Sequence, residues 1–490
     1  MDLAIRMKTA VKDKYKVVIG LEVHAQLLTK SKIFAWDSTA FGQKPNTNIS
    51  PITLGHPGTL PRLNKQVVEY AIKMGIACHS EISRFNIFDR KNYFYPDLPK
   101  GYQVTQDKTP ICVGGFVKIK TGQEEKNVRL HKIHMEEDAG KSIHNADSSD
   151  TLVDLNRAGV PLIEIVTEPD MDNSDQAAAF LTEIRKMVRY LEVCDGNMEE
   201  GSMRCDANIS IMLKDATELG NKVEIKNMNS IKNVQKAIEH EIARQVAMKE
   251  AGKEIVSETR LFDASTITTH SMRTKEKLTD YRYFPEPDLS PLIISDEWLN
   301  RVKNSMPSLP EEVLQELLTE FQLPEYDAYF ISETREMAAY FKETCKHDVE
   351  PKKVANWLMG PVKSWLNENN CSISEIPLSS KKLAQLIQLI DSGKVSFSAA
   401  SQNIFPQLLK NPEAECQKIA EQLNLVQESD TNSLQPMINQ VLDKFPDKVK
   451  EYKKGKKGLI GMFMGEVMKL SRGKADPKMT NQLLRQSLES

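Results

Sequence analysis

A strand-like stretch near the start of the chain constrains the fold more than any other feature. Over residues 17–27 the apolar side chains take the odd positions, and Glu22, His24 and Gln26 share the opposite face of a strand with a period of two. The near-continuous apolar run before them indicates a buried strand, and a buried glutamate needs a counter-charge or a metal ion. We therefore interpret Glu22 and His24 as functional residues, against the common alternative of a solvated face on an edge strand.

A second strand-like stretch carries further acidic residues. Residues 202–211 alternate so that Arg204, Asp206 and Asn208 lie on one face. Asp206 is a candidate site residue, with a salt bridge to Arg204 or a similar base as the structural alternative. Glu200, which comes just before this stretch, is a candidate of the same kind.

Between these two stretches lies the run Glu136-Glu137-Asp138. A charged turn between strands explains it equally well, but adjacent carboxylates repel one another when they are ordered together, and a cation would relieve that repulsion. Carboxylates that converge from several strands predict binding of a hard cation such as Mg²⁺, and chemistry in which negative charge is neutralised.

Length and composition indicate a globular protein of more than one domain. A chain of 490 residues exceeds what one hydrophobic core usually serves, so we expect two or three domains. With 40% hydrophobic and 27% charged residues it has an ordinary globular composition, and no apolar run approaches the ~18 residues of a membrane span. The first residues lack signal-peptide and transit-peptide features, and the seven cysteines form no Cys-x-x-Cys pair. We expect a cytoplasmic protein with reduced thiols and no membrane role.

The residue pattern predicts an α+β fold in three parts. Strand-like runs alternate with a few helices from residue 15 to about 290, an all-helical pattern follows from about 295, and the pattern changes again near residues 405–412. Helices are predicted in the first part over 174–190 and from about 229 to 252. Closely spaced prolines mark the end of the first part, because they enforce extended backbone.

The tail is basic in an otherwise acidic chain. Residues 451–490 hold nine Lys or Arg and four Asp or Glu, a net charge of +5, whereas the whole chain has a net charge of −3. Basic residues interleaved with glycine before an apolar run are typical of a loop that contacts a phosphate backbone, although a solvated charged face is the usual alternative. The RNA-contact candidates are Lys453, Lys454, Lys456, Lys457 and Arg472.

Two related segments combine arginine, aromatic residues, proline and an acid. They are residues 90–98, Arg-Lys-Asn-Tyr-Phe-Tyr-Pro-Asp-Leu, and residues 282–289, Arg-Tyr-Phe-Pro-Glu-Pro-Asp-Leu. Such segments can build a surface on which a nucleic-acid base stacks, or they can be proline-stiffened loops that pack through their rings. Both interpretations stay open.

One apparent phosphate-binding motif is incomplete. Residues 139–142, Ala-Gly-Lys-Ser, look like the end of a P-loop, but that loop requires a glycine where this chain has Met135. If the protein uses ATP, we expect carboxylate-bound Mg²⁺ to hold it.

Six longer segments resemble one known family, the B subunit of the bacterial and organellar aspartyl/glutamyl-tRNA amidotransferases. The segments are Gly-Leu-Glu-Val-His at 20–24, Phe-Asp-Arg-Lys-Asn-Tyr-Phe-Tyr-Pro-Asp at 88–97, His-Met-Glu-Glu-Asp-Ala-Gly-Lys at 134–141, Asn-Arg-Ala-Gly-Val-Pro-Leu-Ile-Glu at 156–164, Met-Glu-Glu-Gly-Ser-Met-Arg-Cys-Asp-Ala-Asn at 198–208, and Asp-Tyr-Arg-Tyr-Phe-Pro at 280–285. They occur in the family's order, and the resemblance extends over essentially the full chain.

The resemblance implies an enzyme subunit that acts on misacylated tRNA. ATP would phosphorylate the side-chain carboxylate of Glu-tRNA(Gln), Asp-tRNA(Asn) or both, and ammonia would then displace phosphate to leave the amide. Family members receive that ammonia through a channel from a glutaminase A subunit, while a small C subunit wraps the pair. This chain has Ser379-Ser380-Lys381, but that run lies in a helical region and lacks the Gly-rich context of an amidase signature. No Cys-His glutaminase arrangement is apparent either, which agrees with ammonia coming from a partner.

The resemblance implies a cradle domain with a mixed or antiparallel sheet over residues 1–292, an all-helical domain over 293–408, and a helical tail domain over 409–490. It also implies roles for individual residues. It implies that magnesium is held by Glu22, His24, Glu136 and Glu137, and that Glu200 and Asp206 belong to the neighbouring acidic part of the catalytic site. Arg157 and Lys226 are candidates to meet phosphate.

A zinc site found in many family members is not expected here. Where they carry four cysteines, this chain has Ala35-Trp36-Asp37 and Ser50-Pro51-Ile52-Thr53. We expect packing around Trp36 to hold that loop instead.

Two alternatives belong to other classes. A noncatalytic tRNA-docking scaffold would use the acidic residues structurally and the basic tail for binding. A free-standing ATP-dependent ligase for a small carboxylic acid would have no use for the tail.

Overall fold

The computed structural model describes residues 14–144, 150–274, 281–426, 431–471 and 475–489. Contacts divide the chain into two compact units, Met1–Leu309 and Pro310–Ser490. The first unit combines a large sheet with helices and the second is helical, so the α+β fold class is confirmed.

The strands of the described residues all lie in the first unit. They are β1 Tyr15–Gln26, β2 Glu81–Ile82, β3 Phe85–Asn86, β4 Asp89–Asn92, β5 Tyr102–Thr105, β6 Cys112–Val113, β7 Phe116–Thr121, β8 Glu124–Glu137, β9 Lys141–His144, β10 Thr151–Asp154, β11 Pro161–Thr167, β12 Met203–Leu213, β13 Val223–Met228, β14 Glu258–Asp263, β15 Thr268–Thr274, β16 Arg282–Pro285 and β17 Leu292–Ile293.

Within the described residues of the first unit, four helices accompany them, and two were predicted closely. They are α1 Lys65–Ala77, α2 Ser174–Tyr190, α3 Ile231–Glu250 and α4 Asp296–Asn304. The side chain of Asn173 caps α2 and that of Ser230 caps α3, each by accepting a hydrogen bond from a first-turn amide. Gly252 follows α3 with φ +68°, a backbone conformation that suits glycine beyond a helix end.

The main sheet runs in the order β15-β14-β13-β12-β1-β11-β8-β5-β4-β16. Its neighbouring strands are antiparallel except for the parallel pair β13 and β14. The odd-numbered residues of β1 are buried, so one face of this central strand packs into the core with α2 and α3. The other face carries the polar residues of β1 and is available for a site.

The end of the first unit extends past the predicted boundary at residue 292. Helix α4 packs on α1, and its Leu299 and Val302 belong to the core of the first unit. The division into three domains stays a prediction.

The second unit consists of short helices. They are α5 Pro310–Thr319, α6 Glu325–Ile331, α7 Arg335–Cys345, α8 Pro351–Trp357, α9 Lys363–Asn369, α10 Ser380–Asp391, α11 Phe397–Ala399, α12 Phe405–Lys410, α13 Cys416–Gln422, α14 Thr431–Lys444, α15 Pro446–Lys453, α16 Ile460–Leu470 and α17 Pro477–Glu489. Single π-helical turns at Leu358–Val362 and Ala400–Ile404 join α8 to α9 and α11 to α12. Residues between Leu434 and Leu488 form a hydrophobic cluster of their own. Within the described ranges, no helix combines the length and the apolar character that crossing a bilayer requires.

The expectation about the loop around Trp36 is wrong. Trp36 is 72% exposed, so its ring cannot hold the loop by packing. Instead the buried carboxylate of Asp37 accepts hydrogen bonds from Ser50 Oγ, at 2.8 Å, and from Thr53 Oγ1. The Lys32 ammonium donates to the carbonyl oxygen of Asn48 at 2.7 Å and closes the same loop.

We expect Asp37→Ala to destabilise this loop, because it leaves two buried hydroxyls without an acceptor. The free energy of unfolding should fall by about 2–4 kcal/mol. Hydrogen exchange of the amides over residues 35–60 should accelerate at the same time. Thr59→Ala, which removes an exposed hydrogen bond in the same loop, is the control and should cost less than about 1 kcal/mol. Equal effects of the two substitutions would contradict the role of Asp37.

Candidate active site

The register of β1 with its two neighbours brings the site together. His24 lies opposite Arg204 of β12 and opposite Glu164 of β11, and Glu164 in turn lies opposite His134 of β8. Directly opposed residues of antiparallel strands leave the sheet on the same face. A row of charged side chains therefore crosses four strands on the face of β1 that is turned away from the core.

His24, Glu136 and Glu164 form the first group that can hold a metal ion. His24 Nε2 lies 3.7 Å from Glu136 Oε1 and 3.6 Å from Glu164 Oε2. One ligand atom from each residue lies within 4.8 Å of the others. Glu136 is buried, so both charges and geometry favour a bound cation at this position.

Glu22, Asp206 and Glu224 form the second group, with their ligand atoms also within 4.8 Å of one another. Glu22 lies opposite Asp206 in the register of β1 and β12. Lys226 pairs with Asp206, and its Nζ lies 3.1 Å from Glu224 Oε1. Asn208 Nδ2 donates to Glu22 Oε1 at 2.9 Å. All donors to a metal would be carboxylate oxygens, which suits a hard cation.

Electrostatics distinguish the two groups. Burial raises the pKa of Glu22, and the nearby charges of Glu164, Asp206 and Glu224 raise it further. Burial also opposes ionisation of Glu164, but the charges of His24 and His134 outweigh burial and hold the pKa of Glu164 well below its ordinary value. Burial is the larger cause of the raised pKa of Glu22, and the excess of negative charge adds to it. A divalent cation would offset that charge. The residues present therefore fit Mg²⁺.

Three residues of the site, His134, Glu164 and Glu224, were missed in the sequence. His134 is buried, its Nε2 lies 3.1 Å from Glu164 Oε2, and its Nδ1 has no hydrogen-bond partner among the described residues. Burial lowers the pKa of His134, but Glu164 and Glu136 outweigh it and raise that pKa to about 9. Glu224 in β13 and Glu164 in β11 each stand between two buried apolar residues of the strand. This alternation of acidic and apolar residues was the feature of the sequence from which both glutamates could have been predicted.

The structure does not bring Glu137 to either group. Glu137 follows Glu136 in β8, so its side chain leaves the sheet on the other face. Its carboxylate accepts hydrogen bonds from Lys100 Nζ at 2.7 Å and from the amide of Val104 at 2.8 Å. It lines a separate cavity of about 170 Å³. Its assignment as a metal ligand stays a prediction that this geometry does not favour.

Glu200 and Arg157 also lie away from the metal groups. Both line a neighbouring cavity of about 770 Å³, and Glu200 is exposed in the turn before β12. Arg157 Nε donates to the carbonyl oxygen of Ala139 at 2.9 Å and lies 3.6 Å from Asp138 Oδ2. Asp138 also accepts a hydrogen bond from Arg204 at 2.9 Å. Arg204 lines both this cavity and the cavity that the metal groups line, so Asp138 holds in place a side chain that the two cavities share.

The metal groups line a larger cavity of about 1050 Å³. Glu22, His24, Glu136, Glu164, Asp206, Glu224 and Lys226 all contribute to its surface. Lys226 faces this cavity, and burial lowers its pKa, but Asp206 and Glu224 outweigh burial and hold the pKa above the ordinary lysine value. Lys226 is therefore a permanent positive charge beside the carboxylates.

The basic residues of the tail are exposed around the end of α15. Lys453 and Lys454 have no ion pair within the part of the chain that the structure describes. Lys456 Nζ lies 3.1 Å from Glu451 Oε2, and Lys457 Nζ lies 4.3 Å from the ring centroid of Tyr452. Arg472 lies outside the described residues.

The fold places two groups of residues that could hold metal ions at the surface of one cavity, an arrangement typical of a catalytic domain. Residues 17–300 match the GatB/GatE catalytic domain, and residues 339–488 match the GatB domain. The chain belongs to the family formed by the B subunit of aspartyl/glutamyl-tRNA(Asn/Gln) amidotransferases, which confirms the resemblance seen in the sequence.

Relatives in that family are similar over nearly their whole length. The B subunit from Geobacter sp. (strain M21) is 49% identical over 97% of this chain and 100% of its own. The one from Trichlorobacter lovleyi is 50% identical over 97% of this chain and 99% of its own. The one from Thermodesulfovibrio yellowstonii is 46% identical over 96% of this chain and 98% of its own.

We expect His134 to stabilise the metal-free protein in a pH-dependent way. Its folded-state pKa of about 9 lies above the ordinary value of 6.5, so its contribution is complete below pH 6.5 and is lost as the pH rises through 9. Compared with His134→Gln, the wild type should lose an advantage of about 3 kcal/mol over that interval. Urea unfolding in EDTA at a series of pH values measures the difference.

The control for this measurement is His131→Gln. His131 lies on the same strand, but its side chain is 63% exposed and pairs with Glu168 at the surface. This substitution should leave the pH profile of stability unchanged. A constant difference between wild type and His134→Gln from pH 6 to pH 10 would contradict the ion pairing.

Proposed function

We propose that this chain is the subunit in which a misacylated tRNA is activated by ATP and then amidated. The substrates are Glu-tRNA(Gln), Asp-tRNA(Asn) or both, in agreement with the names of its relatives. The chain works in a heterotrimer with a glutaminase A subunit and a C subunit. The complex acts in the cytoplasm, where aminoacylated tRNA is used. The observation that supports the proposal most strongly is the pair of acidic groups, each with one residue of β1, at the surface of one large cavity.

Activation must precede amidation, because a bare carboxylate is a poor electrophile. A side-chain carboxylate oxygen of the substrate attacks the γ-phosphorus of ATP, and ADP leaves. The nitrogen of ammonia then attacks the acyl carbon, phosphate leaves with the electrons of the broken C–O bond, and the proton that the nitrogen gives up passes to phosphate. Two anions must approach one another in the first step, so the barrier is largely electrostatic.

The residues at the cavity fit this electrostatic task. His24, Glu136 and Glu164 would hold one Mg²⁺, and Glu22, Asp206 and Glu224 would hold another. The chemistry that Mg²⁺ supplies when bound is neutralisation of charge on the phosphate and carboxylate oxygens.

Two residues beside these groups, Lys226 and His134, support the reaction in different ways. Lys226 is placed to attract phosphate oxygens, because it is positively charged and faces the cavity. His134 positions Glu164 by pairing with it at 3.1 Å.

The tail would bind the body of the tRNA through its phosphates. Lys453 and Lys454 are the strongest candidates, because they are exposed and carry no ion pair within the described residues. Lys456 and Lys457 would first have to exchange Glu451 and Glu489 for phosphate.

We expect Glu164→Gln to abolish activation while tRNA binding is retained. Loss of the carboxylate removes a metal ligand and the partner of two histidines, so transfer of γ-³²P from ATP to Glu-tRNA(Gln) should slow by about 100-fold or more. Glu200→Gln, in the exposed turn, is the matched control and should retain phosphate transfer. Unchanged transfer in Glu164→Gln would favour the noncatalytic scaffold.

Glu137→Gln tests the remaining assignment in the same assay. If Glu137 is a metal ligand, its substitution should slow phosphate transfer as much as Glu164→Gln does. If it acts only through its ion pair with Lys100, phosphate transfer should persist. Persistence is the expected outcome.

We expect the double substitution Lys453→Ala, Lys454→Ala to weaken tRNA binding uniformly. Each phosphate contact that is lost should reduce the slope of log K against log salt by about 1, so the slope should fall by about 2. Filter binding of tRNA between 50 and 200 mM salt measures it. Lys418→Ala, Lys410→Ala, at other exposed lysines, is the control. An unchanged salt slope would remove these residues from the interface.

A further inference from the structure

The two related aromatic segments of the sequence are strand partners at the edge of the sheet. In the pairing of β4 with β16, Lys91 lies opposite Tyr283 and Arg90 lies opposite Phe284. Strand β16 ends the strand order, and all four of its residues are exposed. An exposed edge strand rich in aromatic residues is unusual unless another molecule covers it.

One face of this pair is continuous with the large cavity. Lys91, Tyr93 and Tyr281 all line it. Tyr283 lies opposite Lys91 in the register, so its side chain leaves the sheet on the same face. We call Lys91, Tyr93, Tyr281 and Tyr283 the tyrosine wall.

The rings of the tyrosine wall are arranged around one cation. Lys91 Nζ lies 4.8 Å from the ring centroid of Tyr281 and 5.9 Å from that of Tyr93. The centroids of Tyr93 and Tyr281 lie 5.5 Å apart with their planes at 70°. Burial lowers the pKa of Lys91, but Glu136 and neighbouring groups outweigh it and raise that pKa. The charge of Lys91 therefore couples the wall to the carboxylates of the site.

Packing alone does not account for these rings. Tyr281 is 38% exposed and Tyr283 is 39% exposed, whereas rings that stabilise a core are buried. Tyr95, two residues after Tyr93, is 52% exposed, and the centroids of these two rings lie 5.8 Å apart. The rings of Tyr281, Tyr93 and Tyr95 thus form a row of neighbours, and the first two of them line the cavity.

Resting on the proposed function, we infer that the tyrosine wall is the stacking site for the unpaired 3′-terminal nucleotides of the tRNA substrate. Every base offers a π face, so stacking on aromatic rings tolerates any sequence, and a lysine among the rings can meet the backbone phosphate. Several rings in a row suit successive bases of a strand better than the single base of ATP. Bases held here would place the attached aminoacyl group in the cavity beside the carboxylates.

The test uses the complete heterotrimer and two forms of one tRNA. The first form is intact, with 2-aminopurine in its 3′ end, and the second lacks the unpaired 3′ nucleotides. Tyr281→Ala should weaken binding of the intact form by about 5- to 150-fold, the effect of one lost stacked base, and should reduce quenching of 2-aminopurine. It should leave binding of the trimmed form unchanged. Tyr281→Phe keeps the ring and should restore binding of the intact form.

The matched control is Phe94→Ala. Phe94 belongs to the same segment and is 87% exposed, but it lies outside the cavity lining. Its substitution should leave binding of both forms unchanged. Equal loss for intact and trimmed tRNA in Tyr281→Ala, or no loss for either, would overturn the inference. A rise in KM for ATP with unchanged tRNA binding would overturn it in favour of the adenine base.

The same samples separate this inference from the proposed function. A wild-type complex that fails to amidate Glu-tRNA and Asp-tRNA contradicts the proposed function. Selective loss of intact tRNA binding in Tyr281→Ala still supports the tyrosine wall in that case.

Discussion

Negative charge concentrated beside the central strand β1 is the constraint on which the first unit depends. Burial raises the pKa of Glu22, and the field of three other carboxylates raises it further, so ionising Glu22 in the folded protein has a cost. Lys226 and His134 offset part of the negative charge at fixed positions. These two cations, on other strands of the sheet, thus reduce the repulsion among the acidic residues that the fold brings together.

The predictable part of the site is the part that local periodicity determines. Alternation along β1 was enough to place Glu22 and His24 on one face of that strand, because side-chain direction in a strand depends only on parity. Alternation along β12 placed Asp206 in the same way, but only the register of the two strands shows that Asp206 lies opposite Glu22. The same rule separates Glu136 from Glu137, but a charged run can also be a turn, and the sequence left that alternative open. Glu164 could not be chosen over other alternating acids, because its importance comes from pairing between strands distant in the chain.

The fold class could be inferred for a similar reason. Helix α2 has both a capping residue and an apolar stripe within its own segment, so its bounds were predictable. Strand order was not, since β13 and β14 are parallel neighbours on one side of β1 and β4 pairs with β16 from far along the chain. The two aromatic segments are visibly related in sequence, but only their register shows that Lys91 and Tyr283 lie side by side.

The loop held by Asp37 has a consequence for the conditions under which the protein can fold. Its closure uses two hydroxyl donors and one carboxylate acceptor, all supplied by ordinary side chains. Thiolates in the same place would be open to oxidation and would depend on the supply of a soft-ligand metal. Closure of this loop through Asp37 therefore needs no thiolate and withstands conditions that oxidise cysteine side chains.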